Sequence, residues 1–307
     1  MTAALLVGKP GMLTTVQDLG RFGYQGLGVP VAGPMDWYSH RLANRLVGND
    51  AGAAALEFTL VGPELVAEGE VLCAVAGAEC DVTVDGRDAR LNEPVIVASG
   101  ARLRIGRKGA GARGTIAVRG GVDVPPTLGS RSTHLVSHMG PFDGRALQAG
   151  DRLPIGRPSP RLRFVQPAPM AMPEGGARVR VVPAVHRARF TDRAWSVLTT
   201  SRFVISGQSN RMGYRLEGLP LEHVRGADIL SEATPIGAIQ VPASGQPILL
   251  MADRQTTGGY TTIANVITAD LPIAGQLAPG DWIAFVPCTH EEALMALDAR
   301  FAALGEL

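Results

Sequence analysis

The sequence predicts a mainly β protein of two lobes with a few short helices, and three observations carry that expectation. Glycine and proline are plentiful, 38 and 22 of 307 residues, while aromatic residues make up only 5%; that balance favours many short strands joined by tight turns. Apolar runs are short and broken by Gly, Asp and Asn, as in 71–84 and 93–105. A segment rich in Pro and small residues, RPSPRLRFVQPAPMAMPEGG at 157–176, divides the chain and reads as a linker. The lobes are therefore placed at 1–160 and 177–307, with the linker at about 161–176.

The lobes share landmarks in the same order. Phe58-x-Leu60-x-Gly62-Pro63-x-Leu65 is echoed by Tyr214-x-Leu216-x-Gly218-x-Pro220-Leu221. Gly114-Thr-Ile116-x-Val118 is echoed by Gly237-Ala-Ile239-x-Val241, and Leu147-x-x-Gly150-Asp151 by Leu277-x-x-Gly280-Asp281. Either the halves are related β units, or Gly-Asp turns before strands recur for local reasons. Further strands are expected at 179–182, 203–206 and 248–251.

Helices are expected at three places. Asp36 to Val47 has Asp36 as N-cap and Gly48-Asn49 as stop. Thr191 to Leu198 has a Thr cap. Thr289 to Leu304 opens with a capping box, Thr289-x-x-Glu292. Its Leu294, Leu297, Phe301 and Leu304 suggest one apolar stripe, with the helix closing the C-terminal lobe.

Bulk properties narrow the function. The formal net charge is +1, which argues against nucleic acid as the main partner. No apolar run reaches the ~20 residues of a membrane helix, and MTAALLVGKPGM lacks the charged and apolar regions of a signal peptide. Cys73, Cys80 and Cys288 show no CxxC spacing and read as reduced thiols of a cytoplasmic protein. The sequence has no Met-Lys-Met tripeptide for attached biotin and no GxxxxGK[ST] phosphate loop. Lys9 and Lys108 are its only lysines.

Several motifs have two readings. Gly109-x-Gly111-x-x-Gly114 matches a dinucleotide pattern, but TIAVRGG after it reads as a strand, so a hairpin is favoured over a phosphate site. His134 and His138 have the i, i+4 spacing of a metal pair, yet the flanks look like loop and no carboxylate motif follows; no metal is expected. Asp18 and Arg21 in TTVQDLGR either pin a loop by pairing or present Arg21 as a planar fork for a carboxylate, with Asp18 positioning it. Asp36 is a helix cap or part of an anion site at that helix start.

The densest cluster is Asp253-Arg254-Gln255-Thr256-Thr257-Gly258-Gly259-Tyr260, delivered by the apolar strand Ile248–Met251. Gln and Thr supply neutral donors and acceptors suited to a ring with N–H and C=O edges. The two glycines would let backbone approach a ligand, and Gln240, a lone amide between Ile239 and Val241, can line the same pocket. The alternative is a polar turn network that stiffens the lobe.

Long ungapped blocks resemble the allophanate hydrolase subunit 2 family, whose members include the C component of 5-oxoprolinases and part of the urea carboxylase carboxyltransferase region. They are TTVQDLGRFGYQGLGVPVAGPMD (14–36), RLANRLVGN (41–49), LGSRST (128–133), NRMGYRLEG (210–218) and GAIQVPASGQPILLMADRQTTGGY (237–260). The resemblance implies two tandem cyclophilin-like β-barrel lobes. It implies work in a complex with an allophanate hydrolase subunit 1-like protein and an A component of the lactam-utilisation family, opening 5-oxoproline to glutamate with ATP bound by one of these partners. The alternatives it implies are a biotin-dependent carboxyltransferase component, with biotin on a separate carrier, and a non-catalytic regulator that binds a kinase inhibitor of the subunit 1 type. On the first reading Asp253, Gln255, Thr256 and Thr257 form the catalytic set; Asp18, Arg21, Asp36, Gln240, Arg254 and Tyr260 bind the small-molecule substrate. Two positions depart from the family pattern. Asn210 stands in Ser-Asn-Arg-Met-Gly where the family has Asp, and cannot act as base or counter-ion. Ala184-Val185-His186 replaces Gly-Pro-Gln.

Overall fold

The computed structural model describes residues 3–158 and 167–306. The chain folds as two compact units: one comprises 1–21, 32–172 and 301–307, the other 22–31 and 173–300. Residues 161–166 of the expected linker lie outside the described residues.

The first unit carries β1 (Ala4–Lys9), β2 (Leu13–Gln17), β3 (Ala55–Thr59), β4 (Glu64–Glu68), β5 (Val71–Gly77), β6 (Cys80–Val84), β7 (Arg87–Ala89), β8 (Pro94–Val97), β9 (Arg102–Lys108), β10 (Arg113–Val118) and β11 (Arg152–Pro154). They form a six-stranded sheet, β11-β1-β4-β9-β6-β7, and a five-stranded sheet, β2-β3-β10-β5-β8. Leu5, Leu65 and Leu103 from the first sheet and Leu56, Val75 and Ile116 from the second meet in one core, as alternation of side chains across each strand requires. The Gly109–Gly114 stretch joins β9 in one sheet to β10 in the other, so it is a crossing between sheets and not the expected hairpin.

Helix Trp37–Leu46 covers β10 and β5. Asp36 caps it: one carboxylate oxygen accepts from Ser39 N–H at 2.9 Å and the other from Ser39 Oγ at 2.6 Å. The chain's last residues count with this unit. Phe301 packs on Trp37 with ring centroids 5.6 Å apart, and Glu306 accepts from Arg41 at 2.7 Å and Arg45 at 3.2 Å.

The second unit carries β12 (Gly176–Pro183), β13 (Arg202–Ile205), β14 (Gly213–Glu217), β15 (Asp228–Ala233), β16 (Ala238–Gln240), β17 (Ile248–Leu250), β18 (Thr257–Tyr260), β19 (Thr262–Val266) and β20 (Trp282–Pro287). Seven of them close a barrel in the order β12-β19-β16-β17-β14-β13-β20, sealed by parallel pairing of β12 with β20. Closure leaves no open edge among these strands. Phe203, Tyr214, Leu216, Leu249, Ile263 and Phe285 are among its buried side chains. β15 and β18 form a separate two-stranded ribbon.

Helix Asp192–Thr200 packs on β20, with Thr191 Oγ1 accepting from Ala194 N–H at 3.0 Å. Helix His290–Ala303 has the expected capping box: Glu292 accepts from Thr289 N–H at 2.8 Å and Thr289 Oγ1 from Glu292 N–H at 3.1 Å. Of the expected stripe, Leu297, Phe301 and Leu304 are covered, Leu304 fully, while Leu294 is 64% exposed. The covered positions are 293, 296, 297, 300, 301, 303 and 304, so Ala293 and Ala296 continue the face where Leu294 leaves it.

The two Gly-Asp turns have the same hydrogen bonds. Gln148 N–H donates to the Asp151 carboxylate at 2.7 Å and Asp151 N–H to Gln148 O at 3.1 Å. Ala278 N–H donates to the Asp281 carboxylate at 2.8 Å and Asp281 N–H to Ala278 O at 3.0 Å. Gly150 and Gly280 sit at φ of 90° and 92°, a conformation that a Cβ disfavours.

Candidate functional site

Strand β17 pairs with β14 on one side and β16 on the other. It ends in the turn at Met251–Arg254, where Arg254 N–H donates to Met251 O at 3.2 Å. The chain then enters β18. This route brings Gln240 of β16, Gln255 after the turn and Tyr260 of β18 to one cleft of about 240 Å³. Its wall also includes Gln208, Asn210, Met212, Arg215, Ile248 and Leu250. The mixture is an apolar floor with amides around it and one cation, Arg215.

The amides face one another. Gln255 Nε2 donates to Gln240 Oε1 at 3.3 Å. Among the described residues, Gln240 Nε2 and Gln255 Oε1 have no hydrogen-bond partner. One spare donor therefore lies beside one spare acceptor. Gln240 is 3% exposed as a residue, but its unpaired Nε2 remains within reach of solvent. A ligand that offers a carbonyl and an N–H on adjacent atoms would meet both groups.

Gly258 and Gly259 both line the cleft, and Gly258 also makes room for a side chain. A Cβ at Gly258 would lie 2.6 Å from Gln240 Nε2 and 3.0 Å from Thr234 Cγ2. The missing side chain makes room for the Gln240 amide, and through it for the spare donor.

Asp253 lies behind this wall, 2% exposed. Its carboxylate takes Arg211 Nε at 2.9 Å and Nη2 at 3.1 Å, and its N–H donates to Arg211 O at 2.9 Å. Met251 N–H donates to Met212 O at 3.0 Å. The pair thus ties the segment carrying Asn210 and Met212 to the turn carrying Gln255, and both segments line the cleft. Arg254 Nε donates to Thr234 O at 2.9 Å, and burial pulls its guanidinium below the usual arginine range. Thr256 gives its carbonyl to Thr234 N–H at 3.0 Å, and Thr257 is exposed at the start of β18. Asp253, Arg254, Thr256 and Thr257 do not line the cleft.

Asp18, Arg21 and Asp36 belong to the first unit. The Asp18 carboxylate accepts from Gly20 N–H at 2.9 Å, Ser130 Oγ at 2.6 Å, Ser132 Oγ at 2.7 Å and Arg131 N–H at 2.5 Å. Arg21 is 1% exposed, with Nε on Thr127 O and Nη2 on Ser132 O, both at 2.9 Å. Both side chains hold the 127–132 loop. Asp36 is the helix cap described above.

The histidine pair is no helical motif: His134 Nδ1 meets Ser137 Oγ at 2.7 Å, and His138 turns the chain at φ of 51°. Among the described residues no cluster of His, Cys, Asp and Glu could hold a metal. His186 Nδ1 accepts from Thr262 N–H at 3.3 Å and lies 3.6 Å from Glu232.

Sequence reasoning missed Gln208 and Arg215. Arg215 was legible as the outward residue of an alternating strand, since Tyr214 and Leu216 are buried on either side. Nothing local marks Gln208, which reaches the cleft from the connection between β13 and β14.

The second unit is thus a closed β-barrel domain with an amide-walled cleft at one side. A carboxyltransferase domain model, subdomains A and B, matches residues 27–287, and the chain belongs to this family. It is 41% identical over 288 residues to the C component of 5-oxoprolinase from Escherichia coli (strain K12), covering 94% of this chain and 92% of that protein. It is 36% identical to the corresponding 5-oxoprolinase C component of Haemophilus influenzae, over 91% and 89% of the two chains. The crystal structure of the K. lactis urea amidolyase superposes with a TM-score of 0.94 at 33% identity, covering 99% of this chain and 20% of that one. No helix among the described residues is long and apolar enough to cross a membrane, and Cys73, Cys80 and Cys288 are free thiols.

Proposed function

We propose that this chain is the C component of an ATP-dependent 5-oxoprolinase. It opens 5-oxoproline to glutamate together with a B component, an allophanate hydrolase subunit 1-like protein, and an A component of the lactam-utilisation family, in the cytoplasm. The observation that carries this reading is the 41% identity to a 5-oxoprolinase C component over nearly the full length of both chains. The cleft supports it: a lactam presents a carbonyl and an N–H on adjacent atoms, the complement of Gln240 Nε2 and Gln255 Oε1.

Ring opening adds water at the lactam carbonyl carbon, breaks the C–N bond and leaves the nitrogen with a proton. Negative charge grows on the carbonyl oxygen as water adds, and a fixed neutral donor there stabilises it. Gln240 supplies that donor, and Gln255 orients the ring through its N–H. Asp253 acts through Arg211 as a positioning residue, because its carboxylate is enclosed in the ion pair. Arg254, Thr256 and Thr257 hold the turn and the ribbon, and Tyr260 flanks the cleft mouth. Asp18, Arg21 and Asp36 keep the first unit's loop and helix in place. ATP belongs to a partner protein, since the sequence offers no phosphate loop.

Reconstitution with the products of neighbouring genes tests this reading. Glutamate release from 5-oxoproline that depends on ATP and on all components is the expected result. A folded, complete assembly that releases none sinks it. The similarity to K. lactis urea amidolyase favours a second reading. There the chain is a component of a biotin-dependent carboxyltransferase, and the same amides hold the ureido ring of biotin on a separate carrier. Carboxylation of urea in the presence of a biotinylated carrier would select it.

A further inference from the structure

We propose that Arg215 is the specificity residue of this cleft: its guanidinium pairs with a carboxylate on the ligand and so selects an acidic lactam over neutral rings. The inference rests on the ring-binding reading above and names the second group of that ligand.

Arg215 lies on β14 between Tyr214 and Leu216, each 1% exposed, so strand alternation turns its side chain out of the barrel. Its backbone is held firmly. Its N–H donates to Ser209 Oγ at 3.0 Å, and its carbonyl accepts from Ser206 N–H at 2.9 Å. The guanidinium, by contrast, has no hydrogen bond or ion pair among the described residues. Nearby arginines differ: Arg211 is locked to Asp253, and Arg254 donates to Thr234 O.

The composition of the wall gives this free cation a meaning. Among the described residues no Asp or Glu lines the cleft, and Arg215 is its one Lys or Arg. An arginine without a counter-ion beside neutral amides sets a positive potential, and its planar fork matches a carboxylate with two parallel hydrogen bonds. 5-Oxoproline carries one carboxylate on the ring carbon next to nitrogen. Its amide edge suits Gln240 and Gln255 and its carboxylate suits Arg215. Urea and a ureido ring that carries no transferred carboxyl group have no anionic group to offer. Asn210, in the same wall, keeps the cleft free of a competing carboxylate.

The test uses the reconstituted assembly carrying Arg215→Gln, Arg215→Lys or Asn210→Asp. KM for 5-oxoproline is measured beside the inhibition constant of 2-pyrrolidinone, the same ring without the carboxylate. Arg215→Gln is expected to raise KM at least tenfold and to abolish its salt dependence, while the 2-pyrrolidinone constant stays within twofold. Arg215→Lys should recover part of the loss, and Asn210→Asp should raise KM with the neutral lactam again unaffected. An unchanged KM in Arg215→Gln overturns the proposal, as does a parallel rise of both constants, which would mark a structural role or a contact with a partner protein. A wild-type assembly that produces no glutamate is a different result: it removes the ring-opening reading, and this inference with it.

Discussion

The two units place similar polar side chains in opposite situations. In the first, Asp18 accepts four hydrogen bonds from its own loop, and Arg21 is closed in against Thr127 and Ser132 carbonyls. In the second, the Arg211–Asp253 pair is enclosed in the same way, but Gln240, Gln255 and Arg215 in front of it keep open hydrogen-bonding capacity. Groups whose capacity is filled internally stiffen a fold. Groups left open at a cleft can meet a ligand. The difference is therefore between charged side chains met by their own loop and side chains that keep open capacity at a cleft.

Breaking the enclosed pair should have the largest effect. Asp253→Ala strands the Arg211 guanidinium in the interior, and removing one partner of a buried pair costs roughly 3–5 kcal/mol. Chemical denaturation should show a loss of that order, with binding lost as the cleft walls separate. The matching cut in the first unit is smaller. Asp18→Ala leaves loop donors at Ser130, Arg131 and Ser132 without their acceptor, and about 2–3 kcal/mol is expected from the same measurement. Should Asp18→Ala alter KM while stability holds, the contrast between the units would collapse.

A third measurement uses pH. His40 lies fully buried in the first unit, and burial lowers its pKa from 6.5 to about 4. The unfolded chain takes up this proton near pH 6.5, whereas the folded one resists until about pH 4. The contribution is complete above pH 6.5 and declines as the pH falls towards 4, by about 2 kcal/mol at pH 5. Urea midpoints followed from pH 7 to 5 should fall in step, and a His40→Gln variant that folds should lack this part of the slope. His223 in the second unit is also lowered by burial, but it is only half-buried and should move less.

The smallest effect on stability should accompany a clear effect on binding. Gln255→Ala removes the spare acceptor and also the donor to Gln240 Oε1, so its unfolding free energy should fall by about 1 kcal/mol. Its affinity for the lactam should drop about fivefold, the loss of roughly one hydrogen bond. That loss of stability with an unchanged affinity would place Gln255 in the structural network instead.

Most local structure was legible in the sequence. Thr289 and Glu292 made their capping box, Asp36 and Thr191 capped their helices, and the two Gly-Asp turns formed with matching bonds. Gln240, Gln255 and Tyr260 were expected at one pocket, and the barrel brings all three there. The rest of the 253–260 cluster faces elsewhere: Asp253 and Arg254 turn to protein partners, and Thr256 and Thr257 lead into a ribbon. A run of polar residues shows how many hydrogen-bonding groups are present, but not which of them the fold satisfies.

That division has one physical source. Caps, turns and strand alternation depend on residues within a few positions of each other, so the sequence alone determined them, together with the mainly β class. Which polar groups are closed in and which remain open depends on partners far along the chain: Arg211 for Asp253, Gln240 for Gln255, and Ser132 for Asp18. Only the tertiary structure decided that, because a hydrogen bond needs its two atoms about 3 Å apart and closing the barrel and sheets is what brings such residues together.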